Sequence, residues 1–228
     1  MKQRWNHIFF LHGKIAPGLL QPYLPFELDL LDGMAILSIV PFKMDMIRLW
    51  NLPPAPFFSH LWEINLRTYV RVGGKPGVYF FTLDTDSLLG YLIANCFFHL
   101  PYRLAKIKAL VRNERFYFES QRSLASFKTS FSITGRKKKK TILDRWATDR
   151  ERLFTLKNGE VYEGRVHHDS WPLEEVENLV FEDHFSTQIP IKCHFDPQES
   201  SYAPVLNVSF ETFRKVSGSS SLLRPIGR

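Results

Sequence analysis

The segment LWEINLRTYVRV at residues 61–72 alternates in side-chain character along its whole length. Positions 62, 64, 66, 68 and 70 carry mainly apolar side chains, and positions 63, 65, 67, 69 and 71 carry polar ones. Because successive residues of a β-strand point to opposite faces, this period of two predicts a strand with two unlike faces. The turn GGKPG and the returning run VYFFTLDTD then predict a β-hairpin. The chain is thereby constrained to a largely antiparallel sheet.

The remaining pattern predicts about nine or ten strands and three or four short helices. Strands are predicted at 34–42, 115–121, 127–134, 204–213 and in a hairpin at 153–166 whose turn is Asn158-Gly159. Short helices are predicted at 16–25, 87–98 and 172–181, and a helical turn or two is predicted within 141–154. The helix at 87–98 is predicted to be buried on most sides, and 51–59 is predicted to be a proline-rich loop. The fold class is therefore α+β, with a mostly antiparallel β-barrel-like or sandwich-like sheet and a few short helices.

No repeat or Gly/Ser-rich linker divides the chain, so residues 1–215 are predicted to form a single domain. The remainder, 216–228, is rich in serine and glycine and is predicted to be a disordered tail. The 20 phenylalanines require a close-packed interior or a lined cavity to remove their rings from water.

The net charge of +7 is concentrated in one place. Five positive charges lie in RKKKK at 136–140, which leaves only +2 for the rest of the chain. A broad nucleic-acid surface is therefore not expected, and the run is interpreted as a solvated loop tip. No apolar segment approaches the roughly 20 residues that span a bilayer, so we expect no membrane association and a cytoplasmic location. Cys96 and Cys193 are expected to be reduced thiols.

Five segments, taken in order, resemble a known family. They are LQPYLPFELDLLDGMAILSIVPFKM, WEINLRTYVRVGGKPGVYFFTLD, LPYRLAKI, LDRWATDRERLF and HHDSWPL. Together they resemble the YqjF-like proteins, a bacterial family of unknown function, over about residues 5–212. One departure is Glu151, where the family more often has an aromatic residue after the arginine.

The YqjF-like family is in turn distantly similar to the acetoacetate decarboxylases, which implies a barrel-like sheet with a buried cavity. In those enzymes the segment matching LPYRLA reads Tyr-Pro-Lys-Lys-Leu, and its first lysine forms a Schiff base with the substrate, activated by its cationic neighbour. By this resemblance Tyr102 takes the nucleophile's place and Arg103 takes its neighbour's. Tyrosine has no amine, so Schiff-base chemistry is not carried over. A nucleophile displaced to Lys106 is a weaker alternative.

The candidate site follows from the polar face of the alternating strand together with this segment. Glu63 matches the decarboxylase pocket carboxylate by resemblance and is a candidate catalytic residue with Tyr102 and Arg103. Arg103 would hold an anion and lower the pKa of Tyr102, although both side chains reach one pocket only if the strand bends. The candidate substrate-binding residues are Asn65, Arg67, Tyr69 and His168.

Arg67 offers a bidentate fork for a carboxylate, and His168 is the better candidate of the adjacent histidines for an acid or base. The alternative is that the polar face of residues 63–69 lies against solvent with ordinary Glu–Arg pairs.

We therefore expect a protein that binds or transforms a small carbonyl or carboxylate compound. If it is an enzyme, acid–base chemistry is expected, with no metal and no organic cofactor, since the sequence contains no recognised ligand spacing. The rival hypotheses are a non-catalytic ligand sensor or an oligomeric interaction protein. A third hypothesis, nucleic-acid binding through RKKKK, is disfavoured because no aromatic side chains are interleaved with the charges. A homo-oligomer is compatible with each of them.

Overall fold

Strands dominate the computed structural model, which describes residues 1–48, 60–93, 95, 99–216 and 223–224. Within these ranges the strands are β1 (Lys2–Ile15), β2 (Glu27–Leu28), β3 (Ala35–Arg48), β4 (His60–Val72), β5 (Lys75–Thr85), β6 (Tyr102–Leu104), β7 (Lys106–Arg112), β8 (Arg115–Arg122), β9 (Ala125–Lys137), β10 (Arg152–Lys157), β11 (Glu160–His168), β12 (Glu174–Asp183), β13 (His194–Phe210) and β14 (Arg214–Lys215). The α-helices are α1 (Pro17–Leu20), α2 (Leu88–Ile93) and α3 (Ile142–Thr148), and 3-10 turns cover Gln21–Tyr23 and Ser186–Gln188.

All of these strands belong to one sheet with the order β14-β11-β10-β5-β4-β3-β1-β13-β12-β9-β8-β7, while β2 pairs with β4 and β6 with β5. Among the strands of the described residues, only the pairings of β5 with β10 and with β6 are parallel. An additional pairing of β11 with β13 connects β11, β10, β5, β4, β3, β1 and β13 into a closed circuit of strands. The predicted α+β fold with a mostly antiparallel sheet is confirmed. It is sandwich-like and not a clean barrel, because β12, β9, β8 and β7 continue beyond the circuit.

The sheet separates two hydrophobic cores. In β1, Phe10 packs into the core inside the circuit, whereas Leu11 packs into the core on its outer side. In β3, Val40 packs into the inner core and Ile39 into the outer core. Because both faces of these strands are apolar, both are buried, and near-continuous hydrophobic runs replace the usual alternation. The inner face of the circuit is the face that holds the functional candidates on β4.

One sequence prediction of secondary structure is wrong, and one strand was not predicted. Residues 172–181, predicted to be a helix, contain most of β12, which pairs with β9. Val176 and Phe181 are half-buried between exposed neighbours, so packing on the sheet overrides the helix-like start Pro-Leu-Glu-Glu. The 14 residues of β1 were not predicted to be a strand, because histidine, asparagine and glycine interrupt the apolar run there.

The helices agree with the predictions in type, but α1 and α2 are shorter than the predicted segments. The Ser87 hydroxyl accepts a hydrogen bond from the Gly90 amide at 3.1 Å, as expected for the start of α2. The predicted burial of α2 is wrong, since Leu88, Leu89 and Leu92 are 60%, 44% and 47% exposed. The helix α3 has seven residues, which agrees with the helical turn or two predicted within 141–154, and the chain then enters β10 at Arg152.

Three further predictions fall wholly or partly outside the described residues. The loop at 51–59, Cys96 and most of the tail lie there. Within the tail, the Val216 amide donates to the Val161 carbonyl at 2.9 Å, and the Arg224 amide donates to the Pro25 carbonyl at 2.9 Å. These two tail residues are therefore attached to the sheet and to the segment before β2. The assignment of residues 1–215 to one domain stays a prediction.

The basic run at 136–140 is only partly a solvated loop tip. Lys138 is largely buried and donates to an Asp144 carboxylate oxygen at 3.0 Å and to the Ser200 carbonyl at 2.9 Å. Arg136 contacts two glutamates of β12, and Lys140 donates to the Ser170 hydroxyl at 2.9 Å. Three of the five cations are thus engaged within the protein. That nucleic acid is not a partner stays a prediction.

Candidate functional site

A cavity lies inside the circuit of strands, between the inner faces of β1, β3, β4, β5, β10 and β11. A water-sized sphere can place its centre in about 130 Å³ of it. Most of the wall is apolar, with residues such as Phe42, Leu83 and Trp171. The polar side chains in the wall are Gln3, Glu63, Asn65, Arg67, Tyr102, Thr148, Arg150, Arg152 and His168. An apolar cavity with a few convergent polar groups is the usual form of a small-molecule site.

Three polar side chains of β4, Glu63, Asn65 and Arg67, face this cavity and not solvent. Glu63 and Asn65 are each 2% exposed, Arg67 is 8% exposed and Tyr69 is fully buried. The alternative prediction of a solvent-facing row is therefore wrong. The opposite face of β4, with Ile64, is packed into the outer core. Burial on both faces explains how a strand with alternating polarity can lie in the middle of the sheet.

Glu63 is the acidic group of the cavity wall. Its Oε1 atom accepts a hydrogen bond from Asn65 Nδ2 at 3.1 Å, and its Oε2 atom accepts one from the Tyr102 hydroxyl. Burial raises the pKa of Glu63 to about 7, against the lowering effects of both hydrogen bonds and of Arg67, and Asp84 adds to the rise. A carboxyl group with a pKa near neutrality can both give and accept a proton.

Tyr102 and Arg103 are separated by the geometry of β6. This strand runs parallel to β5, with Tyr102 beside Leu83 and Arg103 beside Asp84. Tyr102 lines the cavity, whereas Arg103 is exposed and does not. The prediction that both side chains share one pocket is wrong, because consecutive strand residues point in opposite directions here. The predicted lowering of the Tyr102 pKa is also wrong. Burial and the neighbouring Glu63 raise it well above its usual value, so the hydroxyl stays protonated.

Arg67 is a buried cation that no carboxylate of the described residues pairs with at ion-pair distance. Its guanidinium carbon lies 5.4 Å from the centre of the Phe10 ring and 5.9 Å from that of Tyr69. Its Nε atom is buried and has no hydrogen-bond partner among the described residues. Cation–π contacts therefore hold the group while leaving donors free.

Asn65 lies between Glu63 and Arg67 on the same face of β4. Its amide nitrogen is committed to Glu63, as described above. Its carbonyl oxygen, Oδ1, is buried and has no partner among the residues that the structure describes. The residue thus orients the Glu63 carboxylate with its amide nitrogen.

Tyr69 does not line the cavity, so its predicted contact with a ligand is not supported by its position. Its hydroxyl lies 3.0 Å from the Ser38 hydroxyl, which lies 2.7 Å from His12 Nδ1. Burial lowers the pKa of His12 to about 3, with the cations Arg67 and Lys138 lowering it further and Asp144 opposing them. The neutral chain from His12 to Tyr69 fixes the aromatic ring over which Arg67 lies.

Arg150 is a wall residue that sequence reasoning missed. It donates to Asp29 Oδ2 at 2.6 Å, and its guanidinium carbon lies 4.2 Å from the Trp146 ring centre and 5.6 Å from that of Tyr69. The sequence does indicate that both residues matter, because Arg150 lies in the segment LDRWATDRERLF and Asp29 in LQPYLPFELDLLDG, and both segments carry the family resemblance. Only the fold shows that these distant segments meet.

His168 lies at one edge of the cavity. Its Nδ1 atom is 2.8 Å from the Asp169 carbonyl, and its ring centre is 5.2 Å from that of Trp171. The structure therefore brings it to the cavity wall, where its described contacts include neither Glu63 nor Arg67. The adjacent His167 is exposed and pairs with Glu211 at 2.8 Å. Lys106, the alternative nucleophile, is exposed on β7 and does not line the cavity.

Within the described ranges, no three His, Cys, Asp or Glu side chains are grouped as metal ligands would be. Within the same ranges, no helix is long and apolar enough to cross a membrane. Cys193 has a free thiol, and burial raises its pKa to about 12, with Asp183 contributing.

Comparison with known proteins gives a consistent family relationship. Residues 2–209 match the DUF2071 family, described as an uncharacterized conserved protein. The chain is 36% identical over 184 residues to the uncharacterized protein YqjF of Bacillus subtilis, covering 78% of this chain and 76% of that protein.

Among solved structures, the chain is similar to acetoacetate decarboxylase from Legionella pneumophila, with a TM-score of 0.70, 15% identity and coverage of 95% and 88% of the two chains. It is also similar to the enduracididine biosynthesis enzyme MppR complexed with pyruvate, with a TM-score of 0.66, 10% identity and coverage of 95% and 90%. An acetoacetate decarboxylase-like enzyme from Sphingomonas wittichii gives a TM-score of 0.63 at 13% identity, covering 94% and 92%. At these identities the likeness shows the fold, and the expected acetoacetate decarboxylase-like architecture is confirmed.

Proposed function

The chain belongs to the DUF2071 family of uncharacterized conserved proteins, and on that premise we propose that its cavity binds a small carboxylate that also bears a carbonyl group. The proposal holds whether the protein only binds this compound or also transforms it. We also propose a cytoplasmic location.

The observation that carries the proposal is the buried, unpaired guanidinium of Arg67. An arginine stays charged in proteins, and a buried charge without a partner is costly. At 8% exposure Arg67 is too deep for bulk water to solvate it fully. The group lines the cavity and keeps its Nε donor free. A carboxylate supplies the missing charge and matches the planar fork of the guanidinium.

The size and lining of the cavity limit the rest of the ligand. Its volume of about 130 Å³ is similar to that of engineered cavities of roughly 150 Å³ that bind benzene. A compound of about six to eight non-hydrogen atoms is therefore supported. That the similarly folded enzyme MppR is complexed with pyruvate supports a short oxo acid.

Acid–base chemistry is favoured over Schiff-base chemistry. No lysine of the described residues lines the cavity, and Tyr102 occupies the place that the resemblance assigns to the nucleophilic lysine. Glu63 lines the same cavity with a pKa of about 7 and accepts a hydrogen bond from Tyr102. These groups can move protons but cannot form an imine.

The test is a titration of the protein with 2-oxobutyrate by isothermal titration calorimetry, with butan-2-one as the probe that lacks the carboxylate. We expect 2-oxobutyrate to bind and butan-2-one not to bind. Arg67→Met should abolish binding, whereas Arg103→Met, which removes an exposed arginine outside the cavity, should leave the affinity unchanged. Equal binding of 2-oxobutyrate by the wild type and Arg67→Met would refute the carboxylate site.

A further inference from the structure

An exposed face lies on the four strands that continue beyond the circuit, β12, β9, β8 and β7, which are neighbours in that order. In β8, Phe116 and Phe118 pack into the outer core on one side of these strands. Tyr117 lies between them and therefore points to the other side, where it is 41% exposed. A groove crosses this second side and is lined by residues of all four strands. We call the Tyr117 side of the four strands the wing face.

One cross-strand row of the wing face is largely apolar. Leu110 of β7 lies opposite Tyr117 of β8 in the register of the sheet. Tyr117 is in turn opposite Ser130 of β9, which is opposite Val180 of β12. Residues that are directly opposite in an antiparallel pair share a face, so the row crosses all four strands. Leu110 and Val180 are 54% and 64% exposed, and apolar side chains aligned in this way favour an interaction surface.

The neighbouring row of the wing face alternates in charge. It consists, in strand order, of Lys108, Glu119, Lys128 and Glu182. In the middle of the row, Lys128 Nζ lies 3.9 Å from Glu119 Oε1. At its two ends, Lys108 and Glu182 are exposed and form no ion pair with a described residue. The row thus ends in an unpaired cation on one side and an unpaired anion on the other.

This order of charges is complementary to itself. A two-fold axis parallel to the strands, between two stacked wing faces and midway between β8 and β9, places β12 of a second copy over β7 and β9 of that copy over β8. Each row then lies over its own counterpart. Lys108 faces Glu182 of the second copy, and Glu119 faces Lys128 of the second copy. Because a two-fold contact occurs twice, the dimer contains four contacts between opposite charges.

We propose that the wing face joins two copies of this chain in a homodimer with this two-fold axis. The same rotation places Val180 of the second copy over Leu110, so the apolar rows are covered together with the charges. The eight residues of β8, at about 3.3 Å each, and four strands about 4.8 Å apart give a face of about 26 Å by 19 Å. Two such faces bury roughly 1,000 Å² in total, where specific interfaces begin in size. The dimer is therefore weak and sensitive to salt.

Other partners fit the charges of the wing face less well. A nucleic acid or an anionic membrane presents one sign of charge and would be repelled by Glu119 and Glu182. Extension of the sheet along the outer edge of β7 is disfavoured, because Lys106, Lys108 and Arg112 occupy three of its seven positions. A second copy meets every charge of the alternating row with its opposite.

The first experiment is sedimentation velocity of the full chain between about 5 and 500 µM, the range in which a small interface associates. We expect the wild type to shift from monomer to dimer across this range. Its dissociation constant should rise with NaCl concentration, because salt screens the charge contacts. A wild type that stays monomeric at the highest concentration would overturn the proposal.

The second experiment reverses the two unpaired end charges. Lys108→Glu and Glu182→Lys each place like charges together twice in the dimer, and each should weaken dimerisation by about tenfold or more. Both residues are exposed and lie three strands apart, so neither change breaks an ion pair within one copy. Lys2→Glu, which reverses an exposed lysine of β1 outside the wing face, should dimerise like the wild type. Unweakened dimerisation of both single variants would overturn the assignment to the wing face.

The third experiment mixes the two single variants, with one of them fluorescently labelled. In a mixed dimer both end contacts again join opposite charges, so the affinity should return to that of the wild type. This recovery also shows that each variant is folded. Variants that unfold at the wild-type temperature but do not associate on mixing would overturn the pairing of Lys108 with Glu182. None of these outcomes depends on the carboxylate site, because the wing face lies outside the circuit.

Discussion

Replacing Arg67 by methionine is expected to make the unliganded protein more stable. The guanidinium is 8% exposed, pairs with no carboxylate of the described residues and has a buried Nε atom without a partner. Methionine keeps a flexible apolar stem of similar length and removes the charge. A residue kept for ligand binding at the expense of folding stability has this signature.

The magnitude follows from two opposing contributions. Burying an unpaired charge costs several kcal/mol after relaxation. The cation–π contacts with Phe10, at 5.4 Å, and Tyr69, at 5.9 Å, oppose this cost, by about 1 kcal/mol each. The net gain on replacement is about 1–3 kcal/mol. For a chain of 228 residues that corresponds to a rise in Tm of about 2–12 °C.

The assay is thermal unfolding of wild type, Arg67→Met and Arg103→Met, with and without 2-oxobutyrate. Arg103 is exposed, so its replacement should change stability by less than about 0.5 kcal/mol. The ligand should raise the Tm of the wild type and of Arg103→Met but not that of Arg67→Met. A clear fall in the Tm of unliganded Arg67→Met would refute the reasoning, since it would mean that the native protein already satisfies the charge.

Three further predictions concern stability and reactivity. The pKa of Glu63 rises from 4.5 to about 7 on folding, so the stability that it contributes below pH 4.5 is lost as the pH rises to 7, by roughly 3 kcal/mol. Urea midpoints across this range should show the fall in the wild type, and a parallel fall in Glu63→Gln would contradict it. Asp84→Asn breaks a buried ion pair with Arg122 at 2.7 Å and should lower the free energy of unfolding by about 3 kcal/mol. The control Glu119→Gln, in an exposed ion pair, should lower it by less than about 0.5 kcal/mol. Equal urea midpoints for the two variants would mean that the Asp84–Arg122 pair does not stabilise the protein. With the other cysteine replaced by serine, Cys193 should react with a thiol reagent at pH 8 far more slowly in the native than in the unfolded protein, because burial raises its pKa to about 12, and equal rates would rule this out.

Local patterns were sufficient to predict the strand pair that forms the site. The alternation at residues 61–72 and the turn that follows produced β4 and β5, and the same alternation placed Glu63, Asn65 and Arg67 on one face. The helix cap at Ser87 was likewise readable from neighbouring residues. These features depend on the direction of side chains over a few positions, which the backbone geometry of each element determines.

Features that depend on distant partners were not predictable from local patterns. Residues 172–181 form a strand because β9 lies beside them, and α2 exposes three leucines that its composition alone suggested were buried. Arg150 reaches the cavity wall only because Asp29, 121 positions away, fixes its guanidinium. Arg103 is excluded from the cavity because β6 runs parallel to β5.

The sequence by itself determined which side chains of β4 share a face. It also determined that Tyr102, and not a lysine, stands immediately before Arg103. Only the tertiary structure decided that this face is the inside of a closed circuit of strands, where both sides of β4 are buried. The physical reason is that alternation sets the direction of a side chain relative to its own strand. Whether that direction leads to water or to a cavity depends on which other strands close around it, and those lie as far away in the chain as β13.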